Sequence, residues 1–267
     1  MAPTVVLITG ANRGIGNGLL KLHLARPNYT VIAANRDPDH PTSKSLFDLP
    51  TAEGTSLHVI KIDATIRTDP SKAVETLHSK GIHHIDILVA NAGIALSYPK
   101  VRDVETDEIQ KHILVNVFGF LWLFQAMRPM LKNADNPMWA TIGSSAAILT
   151  YRSLSPSECH IRIINSPDTI RRNMLPMQNA AYAPTKLMLH WYTKAIHIEE
   201  PWLTAVPIDP GWVQTDLGDH GAHSFGIEKA AITVEESTEG VIKVIDAATR
   251  DTHGGKLWRY DGEEIAW

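Results

Sequence analysis

Short apolar runs alternate along this chain with longer stretches of helical periodicity. Val5-Val6-Leu7-Ile8, Thr30-Val31-Ile32-Ala33-Ala34 and Ile85-Asp86-Ile87-Leu88-Val89-Ala90 are nearly continuous apolar runs, the signature of strands covered on both faces. Leu57-His58-Val59-Ile60-Lys61-Ile62 alternates before Asp63, and 138–142 and 203–208 read as two further strands. Between them lie helical stretches at Leu19-Leu20-Lys21-Leu22-His23-Leu24, at 70–80, at 109–131 and from Tyr182 through Trp191, Lys194 and Ile198. Pro70 stands near the start of the second and Gly81 just past its end, as helix punctuation requires. The stretch 37–54 is rich in Pro, Asp, Ser and Thr, with a small apolar patch at Leu46-Phe47, and reads as loop plus a brief helix. Strands alternating with helices predict an α/β domain on a doubly wound parallel sheet.

The composition permits one large domain spanning 1–267: 267 residues, 44% hydrophobic and 20% charged, bury a sizeable core without a second unit. A net charge of −4 and a pI near 6.3 leave no footprint for nucleic acid or an anionic membrane. Cys159 is the only cysteine, which excludes an intrachain disulfide. The first apolar run lacks a basic flank and is too short to span a bilayer, so the expectation is a cytoplasmic protein facing a small-molecule substrate. The 13 histidines, His83-His84 and His220/His223 included, lack the companion ligands of a metal site, and no metal is expected.

Chemistry concentrates at the ends of the apolar runs. Thr9-Gly10-Ala11-Asn12-Arg13-Gly14-Ile15-Gly16 joins the first strand to the first helix. Gly10 lets the chain turn sharply, Gly14 lets backbone approach a pyrophosphate, and Gly16 lets the helix pack closely. The exposed N–H groups at the helix start supply the anion site. At the end of the second strand stand Asn35-Arg36 rather than an acidic residue. With Arg13, Arg36 forms a guanidinium pair suited to a ribose 2′-phosphate. This favours NADPH over NAD, which Asp37 keeps open. Gly143-Ser144-Ser145 follows the fifth strand at the edge where doubly wound sheets bind ligands, or else caps the next segment. Asn116, an amide in an apolar helix, needs hydrogen-bond partners and is either a helix-bending residue or a working one. Tyr182-Ala183-Pro184-Thr185-Lys186 puts a phenol and an ammonium on one helix face. A phenol titrates near about 10, and the adjacent ammonium is expected to lower that value toward useful acid/base chemistry.

Taken together, the glycine turn, Asn91-Ala92-Gly93 after the fourth strand, Asn116, Ser144 and Tyr182/Lys186 resemble the short-chain dehydrogenase/reductase family over essentially the whole chain. The resemblance implies a Rossmann-type single domain of about seven strands flanked by helices, and reversible hydride transfer between a nicotinamide and a carbonyl or alcohol carbon. It implies catalytic roles for Asn116, Ser144 (Ser145 in reserve), Tyr182 and Lys186. Asn116 would hold a relay water through its carbonyl, and Lys186 would also orient the nicotinamide ribose. Cofactor contacts would come from Gly10, Asn12, Arg13, Gly14, Ile15, Gly16, Asn35, Arg36, Asp63, Ala64, Asn91, Ala92, Gly93, Tyr182, Lys186, Pro210, Gly211, Val213 and Thr215. Asp63 faces the adenine on this reading and caps a strand end on the other. The ending 258–267 is similar to that of fungal ketoreductases of the norsolorinic-acid reductase type, whose substrates imply an aromatic or polycyclic ketone of secondary metabolism. The alternative is a dinucleotide-binding member with a non-redox role, as sensor or in a cofactor-templated rearrangement.

Two departures stand out. Ala90 replaces the asparagine that usually precedes Asn91-Ala92-Gly93, and Ser144 lies 38 positions before Tyr182, much further than the family sets them. The excess is an insertion at about 150–178, carrying Arg152, Arg162, Arg171, Arg172, Pro156, Pro167 and Pro176. It is either a lid on the substrate pocket or a cover on the helix pair through which family members associate. The protein is then a homodimer, a homotetramer or, if covered, a monomer. Glycine-rich 218–226 is expected to be a mobile segment closing over substrate. Trp212, Trp191 and Met177 are candidate pocket walls, with Trp191 alternatively in the core.

Overall fold

The computed structural model describes residues 2–149 and 178–266. The insertion at 150–178, with Cys159 and Met177, therefore falls outside the described residues except for Gln178.

The sheet is built from β1 (Thr4–Thr9), β2 (Tyr29–Asn35), β3 (Ser56–Lys61), β4 (Ile87–Ala90), β5 (Met138–Ile142), β6 (Thr204–Asp209), β7 (Leu257–Arg259) and β8 (Glu264–Ile265). Its spatial order is β3-β2-β1-β4-β5-β6-β7-β8. All pairings are parallel except β7 with β8. The eighth strand is thus a two-residue antiparallel edge beyond the seven expected. The chain reverses its direction of growth between β1 and β4, which opens a crevice at their carboxyl ends.

The continuous apolar runs feed two cores. In β1, Val5 and Leu7 point into one layer while Val6 and Ile8 point into the other, the period-two alternation of a strand buried on both faces. The first layer holds α3 (Asp69–Ser79), the long helix formed by α4 (Thr106–His112) and α5 (Gly119–Lys132), and α6 (Ala183–Glu199). The second holds α1 (Gly14–Leu24) and α8 (Val234–Ala247). The short α2 (Pro41–Lys44) and α7 (Asp216–Ser224) complete the set. Trp139 of β5 is fully buried, with Phe120 and Phe124 of α5 edge-on to it at ring distances of 5.2 and 5.3 Å.

By length and composition, Thr106–Lys132 is apolar enough to cross a membrane. Here Val117, Phe120, Leu123, Met127, Met130 and Leu131 bury its inner face in the protein core. Between α4 and α5 the helix widens into a π-helical segment, Ile113–Phe118.

Glycine-rich 218–226 differs from expectation. Most of it is the helix α7, opened by the Thr215 hydroxyl accepting from the Gly218 N–H at 3.0 Å. Gly218 is required by contact rather than flexibility, since a Cβ there would lie 1.9 Å from the Val213 carbonyl.

His23 of α1 is fully buried, and neither ring nitrogen has a hydrogen-bond partner among the described residues. Burial, reinforced by Arg26, pulls its pKa down to about 4. Unfolded, it titrates near about 6.5, so lowering pH through that window protonates the unfolded chain first and removes stability, in all about 3 kcal/mol. His23→Leu should raise the melting temperature at neutral pH and flatten the loss between pH 6.5 and 4. A melting temperature that falls, with the acid slope unchanged, would contradict this.

Candidate active site

The carboxyl ends of β1, β4, β5 and β6 bring the sequence motifs to one edge. The glycine turn leaves β1 with Gly10 at φ +65° and Gly14 at φ +54°. Gly16 permits the tightest approach: a Cβ there would stand 2.2 Å from the Gly10 carbonyl oxygen and 2.6 Å from the Asn91 amide nitrogen. Asn91 donates to the carbonyls of Thr9 and Gly10 at 2.8 and 3.3 Å, and the Thr9 hydroxyl accepts from the backbone of Asn91 and Ala92 at 3.0 Å each. Asn91 therefore fastens the end of β4 to the turn. Helix α1 begins with no side-chain cap and no acidic residue in its first turn. Its free N–H groups and glycine cradle fit a dinucleotide pyrophosphate.

Around that cradle, Arg36 is exposed and Arg13 pairs with Asp216 at 3.0 Å, both side chains largely in solvent. Such a pair is weak and leaves the guanidinium free to turn to a phosphate. Thr215, besides capping α7, puts its methyl 3.2 Å from where a Gly14 Cβ would be. Ala64 approaches α5 so closely that a Cβ on Gly119 would lie 2.6 Å from its carbonyl oxygen. Asn12 donates to Thr42 at 2.7 Å, and Ile15 packs on the second core. Val213 is buried and bridges to Ile232. Gly211 adopts φ +79°, and Pro210 accepts from Ser237 at 2.7 Å.

Two residues named as cofactor contacts also hold the protein's own backbone. Asn35 is buried, accepting from the Ala11 N–H at 2.9 Å and donating to Ser43 at 3.2 Å, so its amide braces the glycine turn from behind. Asp63 accepts from the Thr65 N–H and hydroxyl at 2.8 and 2.7 Å, which is the strand-end cap.

Tyr182 immediately precedes α6, with Pro184 inside its first turn. Despite the 38 positions between them, Ser144 and Tyr182 come together at this edge, where the Ser144 hydroxyl acts on the Tyr182 hydroxyl to favour its ionised form. Lys186, 5% exposed, donates to the Ile142 carbonyl at 2.7 Å and lies 5.8 Å from the centre of the Tyr182 ring. Asn116 sits in the π-helical segment, accepting from the Ile94 N–H at 2.8 Å and donating to the Ile94 carbonyl at 2.9 Å and Thr185 at 3.0 Å. Its amide ties the segment following Gly93 to the first turn of α6. Such π segments recur at functional sites.

Electrostatics correct one expectation. Burial pushes the Tyr182 hydroxyl up, not down; Tyr98 and Asp209 push the same way, and the Ser144 hydrogen bond opposes them. Spacing in sequence conveys a nearby ammonium but not the desolvation that outweighs it. Burial also draws Lys186 down to about 8. The outcome is a phenol that holds its proton beside a hydroxyl donor.

Sequence reasoning missed three neighbours. His190, buried one turn beyond Lys186, accepts the Ser144 N–H through Nε2 at 3.1 Å. Burial followed by Lys186 pulls it down to about 3, which keeps it a neutral acceptor. A Cβ on Gly143 would lie 2.4 Å from that nitrogen, so Gly143 and His190 require each other. The spacing 182, 186, 190 was the available signal. Asp209 at the end of β6 is buried and accepts from the Gly211 N–H at 3.3 Å, and burial pushes its carboxyl up. Tyr98 lies edge-on to Tyr182 at 6.4 Å and meets Phe225 at 5.3 Å and His220 at 5.9 Å. Trp212 approaches Phe225 at 6.2 Å, whereas Trp191 is 64% exposed and belongs to neither pocket nor core.

Strand order, crevice and edge chemistry define a nicotinamide-type oxidoreductase scaffold, and sequence comparison gives the same answer. The sequence model of short chain dehydrogenases matches residues 4–156, and the chain belongs to the short-chain dehydrogenase/reductase family. It is therefore an oxidoreductase acting on carbonyl or alcohol groups. Norsolorinic acid ketoreductase nor1 of Dothistroma septosporum is 39% identical over 99% of this chain and 92% of its own. Norsolorinic acid ketoreductase of Aspergillus parasiticus is 35% identical over 99% and 91%. Among solved structures, the NADPH-bound carbonyl reductase from chicken fatty liver superposes with a TM-score of 0.77, at 25% identity over 100% of both chains.

Asn116→Ala would strand the partly buried Ile94 N–H and carbonyl, while the Thr185 hydroxyl would keep its bond to the Tyr182 carbonyl. The expected loss is about 3 kcal/mol in urea unfolding, with weakened dinucleotide binding. Unchanged stability would refute the bridging role.

Proposed function

We propose that the protein is an NADPH-dependent reductase that transfers a hydride to an aromatic or polycyclic ketone, with Tyr182 as the general acid. The observation that carries the reading is the contact of the buried Lys186 with the Tyr182 ring, 5.8 Å from its centre, while Lys186 donates to the Ile142 carbonyl two residues before Ser144, at the carboxyl edge beside the glycine cradle. A protein that only bound a dinucleotide would have no use for that contact.

Roles follow from the chemistry of each group. The N–H groups of the glycine turn hold the pyrophosphate, while Arg13 and Arg36 take a 2′-phosphate that no acidic residue at position 35 opposes. Asn91, Ala92 and Gly93 line the crevice, and Gly211, Val213 and Thr215 receive the nicotinamide end. The bound cofactor supplies the hydride. Ser144 orients the carbonyl oxygen by donating to it, and Tyr182 gives that oxygen its proton. The Lys186 ammonium stabilises the phenolate left behind, orients the nicotinamide ribose, and Asn116 supports the proton relay through its backbone carbonyl. Tyr98, Phe225 and Trp212, gathered beside Tyr182, suit a flat ring system. The names of the Dothistroma and Aspergillus relatives point to the same substrate class, and the setting is the cytoplasm.

The test is NADPH consumption against a panel of polycyclic aromatic ketones. Turnover should fall by at least about 10²-fold in Tyr182→Phe with NADPH affinity retained. Equal turnover in the mutant, or rapid turnover of simple sugars or steroids alone, would sink the reading. Replacing Arg13 and Arg36 together by Ala should weaken NADPH binding at least about tenfold and spare NADH. Equal losses for both cofactors would refute the 2′-phosphate assignment.

A further inference from the structure

Helix α6 grips the end of β5 with one face. Thr193 meets Thr141 hydroxyl to hydroxyl at 2.7 Å, Lys186 donates to the Ile142 carbonyl at 2.7 Å, and His190 accepts the Ser144 N–H at 3.1 Å. Residues 186, 190 and 193 share a helix face, so a donor, an acceptor and a hydroxyl come down together on 141–144. Thr193 and Lys186 hold groups within the strand. His190, 1% exposed, reaches past its end to a residue the proposed reduction uses.

The sheet stops holding the chain just before Ser144. Ile142 is the last residue of β5 in register with β6, and the Gly143 N–H closes the ladder on the Ile208 carbonyl at 2.7 Å. One residue later the N–H turns to the helix instead. Ser144 is extended there, and its hydroxyl oxygen accepts from the Ala146 N–H at 3.2 Å. A serine hydroxyl has one proton and two lone pairs. With the backbone held by His190 and one lone pair by Ala146, the proton is left for a partner at the edge where Tyr182 stands.

The residue before Ser144 admits the ring. A Cβ on Gly143 would stand 2.4 Å from Nε2 and 3.0 Å from Cδ2 of His190, so a side chain at 143 displaces the imidazole from the Ser144 N–H. Gly143 is not among the glycines of positive φ; what it supplies is room. Because Nε2 accepts, the neutral ring carries its proton on Nδ1. Protonated, it would turn a donor toward a donor, and burial with Lys186 nearby keeps it neutral.

We propose that His190 is a positioning residue for the reduction: by accepting the Ser144 N–H it sets where the Ser144 hydroxyl stands against Tyr182 and the substrate carbonyl, and position 143 is glycine to admit it. This rests on the reading of Ser144 and Tyr182 given above. The imidazole acts through Ser144 and not on the substrate.

The experiment compares two variants of the full chain. His190→Gln keeps an amide oxygen that can take the same N–H, and His190→Met has similar length with only a weak sulfur acceptor. In chains labelled with ¹⁵N-serine, the Ser144 amide signal is identified by its loss in Ser144→Ala. In His190→Met that signal should move, kcat toward a polycyclic aromatic ketone should fall at least about tenfold, and NADPH affinity should hold. In His190→Gln both the signal and kcat should return toward wild type. Gly143→Ala, which displaces the ring without replacing it, serves if the Met variant does not fold, with the same moved signal and lost kcat expected. A Ser144 signal unmoved in a folded Met variant overturns the proposal, as does a moved signal with full kcat or a Gln variant no better than Met. The amide signal needs no turnover, so failure of the underlying reading shows separately, as a wild-type chain inert toward ketones or a fully active Tyr182→Phe.

Discussion

The architecture of the site depends on one close approach, that of the first turn of α1 to the turn it leaves. A hydrogen at Gly16 is all that fits between α1, the Gly10 carbonyl and the Asn91 amide. Because the helix packs so near, Asn91 reaches both Thr9 and Gly10, and β4 is fastened beside β1 where strand order reverses. Asn35 supports the same turn from behind through the Ala11 N–H. Around that edge, Ser144 follows the end of β5, while Asn116 and Lys186 reach it from helical segments. The Gly93 backbone lies between the Asn116 amide and the Lys186 ammonium.

Behind the crevice, polar groups are buried as a connected set. Lys186 takes the Ile142 carbonyl, His190 takes the Ser144 N–H, Asp209 takes the Gly211 N–H, and Asn116 satisfies Ile94 and Thr185. Buried polar groups are tolerated when each has a partner, and low dielectric then makes each charge felt over a longer range. Burial sets the directions: Tyr182 upward, Lys186 and His190 downward. Tyr182 is thereby held as a protonated phenol at this edge. The aromatic side chains of Tyr98, Phe225 and Trp212 gather beside it.

The order of strands and helices was legible because period and burial coincide: Val5 to Ile8 must feed two cores, and they do. The glycine turn and the 182/186 pair were legible because turn geometry and helix spacing are local rules. What was misread depended on contacts. Glycine-rich 218–226 read as a mobile segment closing over substrate, yet Gly218 and Gly221 sit in a helix pressed against neighbours. Helix α8 went unread although Thr233, which caps it by accepting from the Glu236 N–H at 3.1 Å, and Glu236 form the residue pattern of a capping box. That the Asn35 amide braces the turn through the Ala11 N–H was likewise a matter of contact. The direction of the Tyr182 shift required burial, which spacing does not encode.

The central claim is that the edge holding Ser144, Tyr182 and Lys186 delivers hydride to a carbonyl carbon. The most direct measurement follows deuterium from NADPH labelled on its transferring C4 position into the product of an aromatic ketone, read by mass spectrometry. The account predicts one deuterium on the new carbinol carbon, and none when Tyr182 is replaced by Phe. Tight NADPH binding with no deuterium transferred to any ketone of the class would contradict it.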